Sequence, residues 1–338
     1  MKPYNKHLNK IKGSIVAGAV GDALGYPVEF MSHEQIIKRY GSPGITRHEL
    51  REGKALISDD TQMTLFTACG ILNSKRDKLG MSSSICRAYI EWLYTQGGTK
   101  KRLFKECSIT GIKELNANRA PGITCISSLT AIANGREHVN SSKGCGGVMR
   151  IAPIPLFGMA HNWKIEECCT LAADASEITH QHPLGYLPSA LLSYIIFNAA
   201  EDDAPSKERL QGYIMEGLEA VKKLFPHTPF VKDLEEIVGK AKNLANTEME
   251  DIDAITKIGE GWVAEETLAI AIYCALKYWD NVEKALVASV NHSGDSDSTG
   301  AVTGNIIGAL LGYDAIPDFY KENLELRDLI EKTSEDLA

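Results

Sequence analysis

Two short acidic segments contain the residues best suited to chemistry in this sequence. They are residues 58–61 (SDDT) and 295–299 (DSDST), and each directly precedes a stretch with helical spacing of apolar residues. A single Asp or Ser at such a position normally caps the helix. Two carboxylates with neighbouring hydroxyls are also the oxygen ligands that Mg²⁺ and Mn²⁺ prefer. Taken alone, each segment is typical of a capped turn, but together they favour a divalent-metal site.

Two further segments could contact a ligand. Residues 144–147 (GCGG) could present backbone N–H groups to a phosphate. They lack the Lys-Ser/Thr ending of a nucleotide P-loop, so a plain turn is the better interpretation of these residues alone. His180 and His182 could bind a metal or a substrate, or one of them could simply cap a helix. Histidines two residues apart do not share a helix face, so a paired zinc site is not expected.

The elements that must position these segments are mostly helices. Apolar residues recur at three- and four-residue spacings, which predicts helices over 62–72, 84–94, 164–176, 186–199, 208–224, 262–279 and 281–290. Two stretches rich in small residues, 13–25 and 300–312, are predicted to be helices that pack closely in the core. Strand patterns are scarce and no Asn-Gly hairpin signal is found. We therefore predict an all-α protein, with loops over 42–58 and 95–124 and polar connections over 200–208 and 243–260.

Composition limits the possible partners. The chain has 338 residues, of which 44% are hydrophobic and 24% charged, as in an ordinary globular protein of two domains or one large one. Its formal net charge of -8 argues against nucleic acid or an acidic membrane as a partner. The longest apolar run, Leu268–Leu276, is too short to cross a bilayer.

The cysteines and the N-terminal region bear on location. Eight scattered cysteines without a CxxC pair predict reduced thiols and, as the default, a cytoplasmic protein. The lysine-rich start followed by the apolar stretch Ile15–Leu24 is similar to a secretion signal. Asp22 interrupts that stretch, and the apolar part of a signal should be uncharged, so no signal peptide is expected.

Five segments, in their order along the chain, resemble the ADP-ribosylglycohydrolase family. They are residues 21–25 (GDALG) with Glu29, 58–63 (SDDTQM), 144–150 (GCGGVMR), 179–180 (TH) and 294–298 (GDSDS). The paired acidic motifs are highly specific, whereas the glycine segments are individually weak. The resemblance implies one compact all-α domain over residues 1–338, with its motif-bearing core at about 12–312 and a central cleft for a binuclear metal centre.

The resemblance also implies roles for particular residues. Two Mg²⁺ or Mn²⁺ ions would be held by Ser58, Asp59, Asp60, Asp295, Asp297 and Ser298. Asp60 or Asp297 would activate water or assist the leaving group, and the sequence leaves that choice open. Glu29 would approach the metals and gate substrate entry. ADP-ribose would be bound by Gly122, Thr124, Gly144, Cys145, Gly146, Gly147 and His180.

The implied activity is metal-dependent hydrolysis of the bond between ADP-ribose and a modified acceptor. Protein arginine is the expected acceptor, so the enzyme would reverse mono-ADP-ribosylation. Cys145 departs from the asparagine common in the family's glycine loop, and residues 115–125 lack the Asp of some arginine-specific relatives. Serine-linked ADP-ribose, poly-ADP-ribose and O-acetyl-ADP-ribose remain alternative substrates. A further alternative is an immunity protein that acts partly by binding an ADP-ribosyltransferase toxin.

Overall fold

The computed structural model describes residues 6–77 and 80–338, and helices make up most of this part of the chain. The α-helices are α1 (Lys6–Gly25), α2 (His33–Tyr40), α3 (Asp59–Asp77), α4 (Met81–Thr95), α5 (Ile123–Ala133), α6 (Pro153–Ala160), α7 (Ile165–Glu177), α8 (Pro183–Glu201), α9 (Lys207–Leu224), α10 (Val231–Leu244), α11 (Asp251–Ile258), α12 (Ala264–Lys277), α13 (Val282–Val290), α14 (Ser296–Leu311), α15 (Asp318–Lys321) and α16 (Arg327–Leu337). Short 3₁₀ helices lie at Tyr26–Val28, Ser108–Gly111, Glu114–Asn116, Val148–Arg150 and Tyr313–Ala315. The predicted all-α fold is confirmed.

Helices α1 and α14 pack against each other through small residues, although they lie far apart in the sequence. A Cβ atom added to Gly21 would lie 2.0 Å from the carbonyl oxygen of Gly300, and one added to Gly25 would lie 2.2 Å from that of Ser296. No side chain fits at such a distance, so glycine is required there. The predicted close packing is confirmed. It also brings the end of α1 directly against the start of α14.

Helix α14 runs through the core. It packs against α1, α8, α12 and α13, and its residues are buried up to Leu310. The apolar run Leu268–Leu276 in α12 is likewise buried, which explains why it is apolar on every face. No helix of the described residues is both long and apolar enough to cross a membrane.

Stretches predicted as loops or polar connections contain regular elements, and two of the 3₁₀ helices, Ser108–Gly111 and Glu114–Asn116, lie in the predicted loop over 95–124. The predicted loop over 42–58 contains a small antiparallel pair, β1 (Leu50–Arg51) and β2 (Lys54–Ala55). Glu52 and Gly53 between them have φ values of 52° and 77°, as in the tight turns that join short hairpins. The strands are too short to show alternation in the sequence. Helix α11 lies in a predicted polar connection and buries only Ala254, Ile255 and Ile258.

Candidate active site

A cavity of about 350 Å³ lies where the starts of α3 and α14 meet. Segments that are distant in the sequence form its wall, which comprises Glu29, Phe30, Asp59, Asp60, Ala120, Pro121, Gly122, Ile123, Thr124, Cys125, Gly144, Cys145, Gly146, Met149, His180, Trp262, Asp295, Asp297 and Ser298. None of these residues is a Lys or an Arg. The cavity is therefore strongly acidic.

A buried carboxylate on α1 holds the first acidic segment in place. The two oxygens of Asp22 accept hydrogen bonds from the backbone N–H of Ser58 at 2.9 and 3.1 Å. Asp22 also accepts from the backbone N–H of Thr61 at 3.1 Å and from the Thr61 hydroxyl. Burial, and then the charge of Asp297, raise the pKa of Asp22 to about 7. Asp22 thus caps the start of α3 from outside the helix.

Asp59 connects the start of α3 to the segment that precedes α5. Its backbone N–H donates to the carbonyl of Arg119 at 3.1 Å, and its carboxylate accepts from the N–H of Gly122 at 3.1 Å. These two bonds place residues 119–124 along one side of the cavity. Gly122 and Thr124, which the sequence predicts to bind substrate, lie on its wall.

The second acidic segment caps its own helix. Asp295 accepts from the backbone N–H of Ser298 at 3.3 Å, and Asp297 accepts from the same group at 3.0 Å. A contact from outside the segment comes from the thiol of Cys145, which donates to Asp295 at 2.7 Å. Burial and the Asp295 charge raise the pKa of this thiol well above its usual value, so it stays protonated and can donate.

Three buried carboxylates converge in the cavity. One oxygen from each of Glu29, Asp295 and Asp297 lies within 4.8 Å of the others. Oε2 of Glu29 and Oδ2 of Asp60 are buried and have no hydrogen-bond partner among the described residues. Such atoms are costly unless a proton or a cation neutralises them.

The electrostatics of the cluster favour a bound cation. Burial, with the charges of Asp297 and Asp295, raises the pKa of Glu29 to about 10. Burial and neighbouring carboxylates also raise the pKa values of Asp59, Asp60 and Asp297 well above the ordinary range. Hard divalent cations would remove this repulsion, because they prefer carboxylate and hydroxyl oxygens. The residues present therefore fit Mg²⁺ or Mn²⁺.

The ring of His180 lies on the cavity wall. Arg150 donates to the hydroxyl of Thr179 at 2.7 Å, and that hydroxyl lies 2.8 Å from Nδ1 of His180. The same hydroxyl also lies 3.4 Å from the carbonyl of Ser176. A Thr179 hydroxyl that donates to Nδ1 would place the ring proton on Nε2. Burial and the Arg150 charge lower the pKa of His180 to about 3, so the ring is neutral.

The glycine loop passes close to this histidine. A Cβ atom on Gly146 would lie 2.8 Å from the sulfur of Cys125 and 2.9 Å from Cε1 of His180. Gly144, Cys145 and Gly146 lie on the cavity wall, whereas Gly147 lies behind it and accepts from the hydroxyl of Ser176 at 3.1 Å.

The structure thus brings most of the predicted site residues to one cavity. Ser58, like Gly147, lies just off its wall, and its hydroxyl accepts from the N–H of Asp60 at 3.2 Å. Sequence reasoning assigned no role to Asp22, although it is part of the first motif. It also missed Phe30 and Trp262, whose rings stack at the cavity mouth with centroids 5.8 Å apart. The position of Phe30 directly after Glu29 was the available signal.

Comparison with known proteins gives a consistent result. A sequence model described as ADP-ribosylglycohydrolase matches residues 3–338. The chain is 23% identical to ADP-ribosylhydrolase ARH3 of Homo sapiens, over 95% of this chain and 90% of that protein. It is 24% identical to ADP-ribosylarginine hydrolase Tri1 of Serratia proteamaculans (strain 568), over 99% of this chain and 80% of that protein. A solved structure named ADP-ribosylglycohydrolase-related protein complex superposes on this chain with a TM-score of 0.67 and 21% sequence identity, over 98% of each chain. This match shows that the two proteins share a fold.

Proposed function

We propose, since the chain belongs to the ADP-ribosylglycohydrolase family, that it hydrolyses the glycosidic bond between ADP-ribose and a modified acceptor with the help of Mg²⁺ or Mn²⁺. The observation that carries this proposal is the convergence of Glu29, Asp295 and Asp297 within 4.8 Å in a cavity lined by glycines and a neutral histidine. Both acidic segments reach this cavity through the packing of α1 on α14. That packing supports our further proposal that residues 1–338 form one domain.

We assign the ligands of two divalent ions to the two acidic segments. They are Ser58, Asp59, Asp60, Asp295, Asp297 and Ser298. Ions bound there would lower the pKa of a water molecule and orient the hydroxyls of the ribose next to the scissile bond. Glu29, whose Oε2 has no partner among the described residues, lies beside these groups and would close the entrance once substrate is bound.

The chain's own residues would supply the remaining chemistry. Asp60 or Asp297 would take the proton of the attacking water while the bond to the acceptor breaks through an oxocarbenium-like transition state. The Nε2–H of His180 would donate to an oxygen of ADP-ribose. Gly144 and Gly146 would let the backbone approach the diphosphate closely, because no side chain intervenes. The Cys145 thiol would keep Asp295 oriented.

Protein arginine is the acceptor we propose. The name of the Serratia relative states that linkage for that protein, and it matches nearly all of this chain. In this proposal the enzyme removes ADP-ribose that an ADP-ribosyltransferase has attached, and free ADP-ribose is the product.

The test is release of ADP-ribose from an arginine-ADP-ribosylated protein with Mg²⁺, with Mn²⁺ and with EDTA. We expect release with either metal and none with EDTA. Equal release in EDTA would contradict the metal mechanism. Release from a serine-linked peptide alone would support the hydrolysis of ADP-ribose linkages but contradict arginine as the acceptor. No release from any linkage, with metal demonstrably bound, would contradict the enzymatic proposal.

A further inference from the structure

An aromatic pair with a neighbouring carboxylate lies at the mouth of the cavity. The rings of Phe30 and Trp262 are stacked, 18° from parallel, and their side chains are 74% and 39% exposed. The indole N–H of Trp262 donates to Oε2 of Glu260 at 3.1 Å. Ile123, which lines the same cavity, is 87% exposed, so the mouth carries several exposed apolar side chains, as binding sites do. The bond to the indole holds the carboxylate beside the rings.

The charges around this pair favour a cationic ligand. Neither a Lys nor an Arg of the described residues forms an ion pair with Glu260. Two basic groups of the segments that line the cavity are engaged elsewhere, because Lys143 pairs with Glu265 and Arg119 pairs with Glu325 at 3.1 Å. The mouth therefore presents aromatic faces and a free carboxylate oxygen. An anionic acceptor would be repelled there.

We propose that Phe30, Trp262 and Glu260 form the acceptor subsite and that it takes the guanidinium group of an ADP-ribosylated arginine. This inference rests on the proposed function. A planar guanidinium stacks on aromatic rings, and its N–H groups would donate to the free oxygen of Glu260. Phe30 follows Glu29 in the chain, so the subsite lies directly beside the acidic centre where the scissile bond would be held. A neutral serine-linked acceptor would gain nothing from Glu260.

The experiment compares the variants Glu260→Gln and Trp262→Leu with the wild-type protein. KM and kcat are measured on an arginine-linked ADP-ribosyl peptide, and free ADP-ribose is titrated as an inhibitor. The backbone carbonyl of Trp262, which accepts from Cys145 at 3.3 Å, is kept in both variants. Glu248→Gln is the matched control, because Glu248 is an exposed carboxylate that does not line the cavity.

We expect each subsite variant to raise KM for the arginine-linked peptide by roughly twofold to fivefold, as for exposed cation–π and ionic contacts. The inhibition constant of ADP-ribose should stay unchanged, and the control should behave as wild type. A subsite that only stabilises the fold would raise both constants together, and that result would overturn the inference. An unchanged KM in the correctly folded Glu260→Gln variant would also overturn it.

Failure of the proposed function gives a different pattern. If the wild-type protein released no ADP-ribose, the enzymatic proposal would be contradicted irrespective of the variants. The acceptor subsite would then be tested by calorimetry, which measures binding of the intact arginine-linked peptide to the wild-type protein and to the variant. Weaker binding to Glu260→Gln than to wild type would support it, and equal binding would contradict it.

Discussion

The two acidic segments have similar residues, but the carboxylates that cap their helices come from different places. The start of α3 is restrained from outside, because Asp22 on α1 accepts the N–H groups of Ser58 and Thr61. The start of α14 is capped by its own carboxylates, because Asp295 and Asp297 both accept from Ser298. Its backbone is also held from outside, since the N–H of Asp295 donates to the carbonyl of Glu260 at 2.9 Å. The carboxylate that caps α3 is therefore remote, whereas the carboxylates that cap α14 are local.

This difference shows which carboxylate oxygens remain available to bind a metal ion. Because Asp22 caps α3, Asp60 does not have to, and its Oδ2 has no partner among the described residues. At α14 the capping residue Asp295 also belongs to the converging cluster, so one side chain serves two purposes. A capping motif and a metal-binding motif thus look alike in sequence. At the start of α3 the distinguishing feature is the Asp60 oxygen that remains unpaired after the helix has been capped.

The largest effect is expected from replacing one carboxylate in each segment. Asp60→Asn and Asp297→Asn should each lower kcat/KM for ADP-ribose release by at least about 100-fold, since both a ligand and a candidate general base are removed. Measurement of kcat over a range of Mg²⁺ concentrations separates the two roles, because a pure ligand loss is partly rescued by excess metal. Asp280→Asn, an exposed substitution, is the matched control. Full activity in either variant would contradict the proposed site.

Asp22→Asn tests the remote restraint. We expect activity and Mg²⁺ affinity to fall by roughly tenfold to 100-fold, as when a group that orients metal ligands is lost. The melting temperature of the metal-free protein should change little. The amide weakens the bonds to Ser58 and Thr61, but it also removes a charge that repels Asp297. If stability fell sharply while the remaining folded enzyme kept its activity, Asp22 would support the fold and not the site.

The sequence predicts much of this arrangement for physical reasons. Helices with regular apolar spacing are predictable because burial follows that spacing, and the close packing of α1 on α14 is predictable because only small residues permit it. The role of Asp22 cannot be predicted in this way. A buried Asp in an apolar helix is recognisable as a cap only when the N–H groups that donate to it from another segment are known. The stacking of Phe30 on Trp262 depends likewise on two distant segments meeting. Helix α11 was missed because it buries only three apolar residues.

The excess negative charge of the cluster predicts the pH dependence of stability. Folding raises the pKa of Glu29 to about 10 and that of Asp22 to about 7, so above the ordinary carboxyl pKa the folded protein binds more protons than the unfolded chain. The free energy of unfolding then falls as pH rises. In EDTA we expect the melting temperature to drop by about 4 °C or more between about pH 5.5 and about pH 8. Added Mg²⁺ should reverse the drop.

Calorimetry or circular dichroism would measure this dependence. Glu29→Gln is the informative variant, because it removes a carboxyl group whose pKa folding raises to about 10, and it should flatten the curve in EDTA. A melting temperature that rises with pH in EDTA would show that the carboxylates are neutralised within the protein. The cluster would then not require a bound cation. The difference between the two segments would no longer support a metal site.

The smallest effect is expected at Cys145, whose side chain contacts the second segment from outside. Its thiol donates to Asp295 at 2.7 Å, whereas Asp22 restrains the first segment through several N–H and O–H donors. Cys145→Ala should therefore lower kcat by only roughly twofold to tenfold, the range of a single hydrogen bond, and Cys145→Ser should restore it because a hydroxyl donates in the same place. If Cys145→Ala cost as much activity as Asp22→Asn, the start of α14 would depend on outside contacts as strongly as the start of α3. Local capping would then be insufficient to hold Asp295 in place.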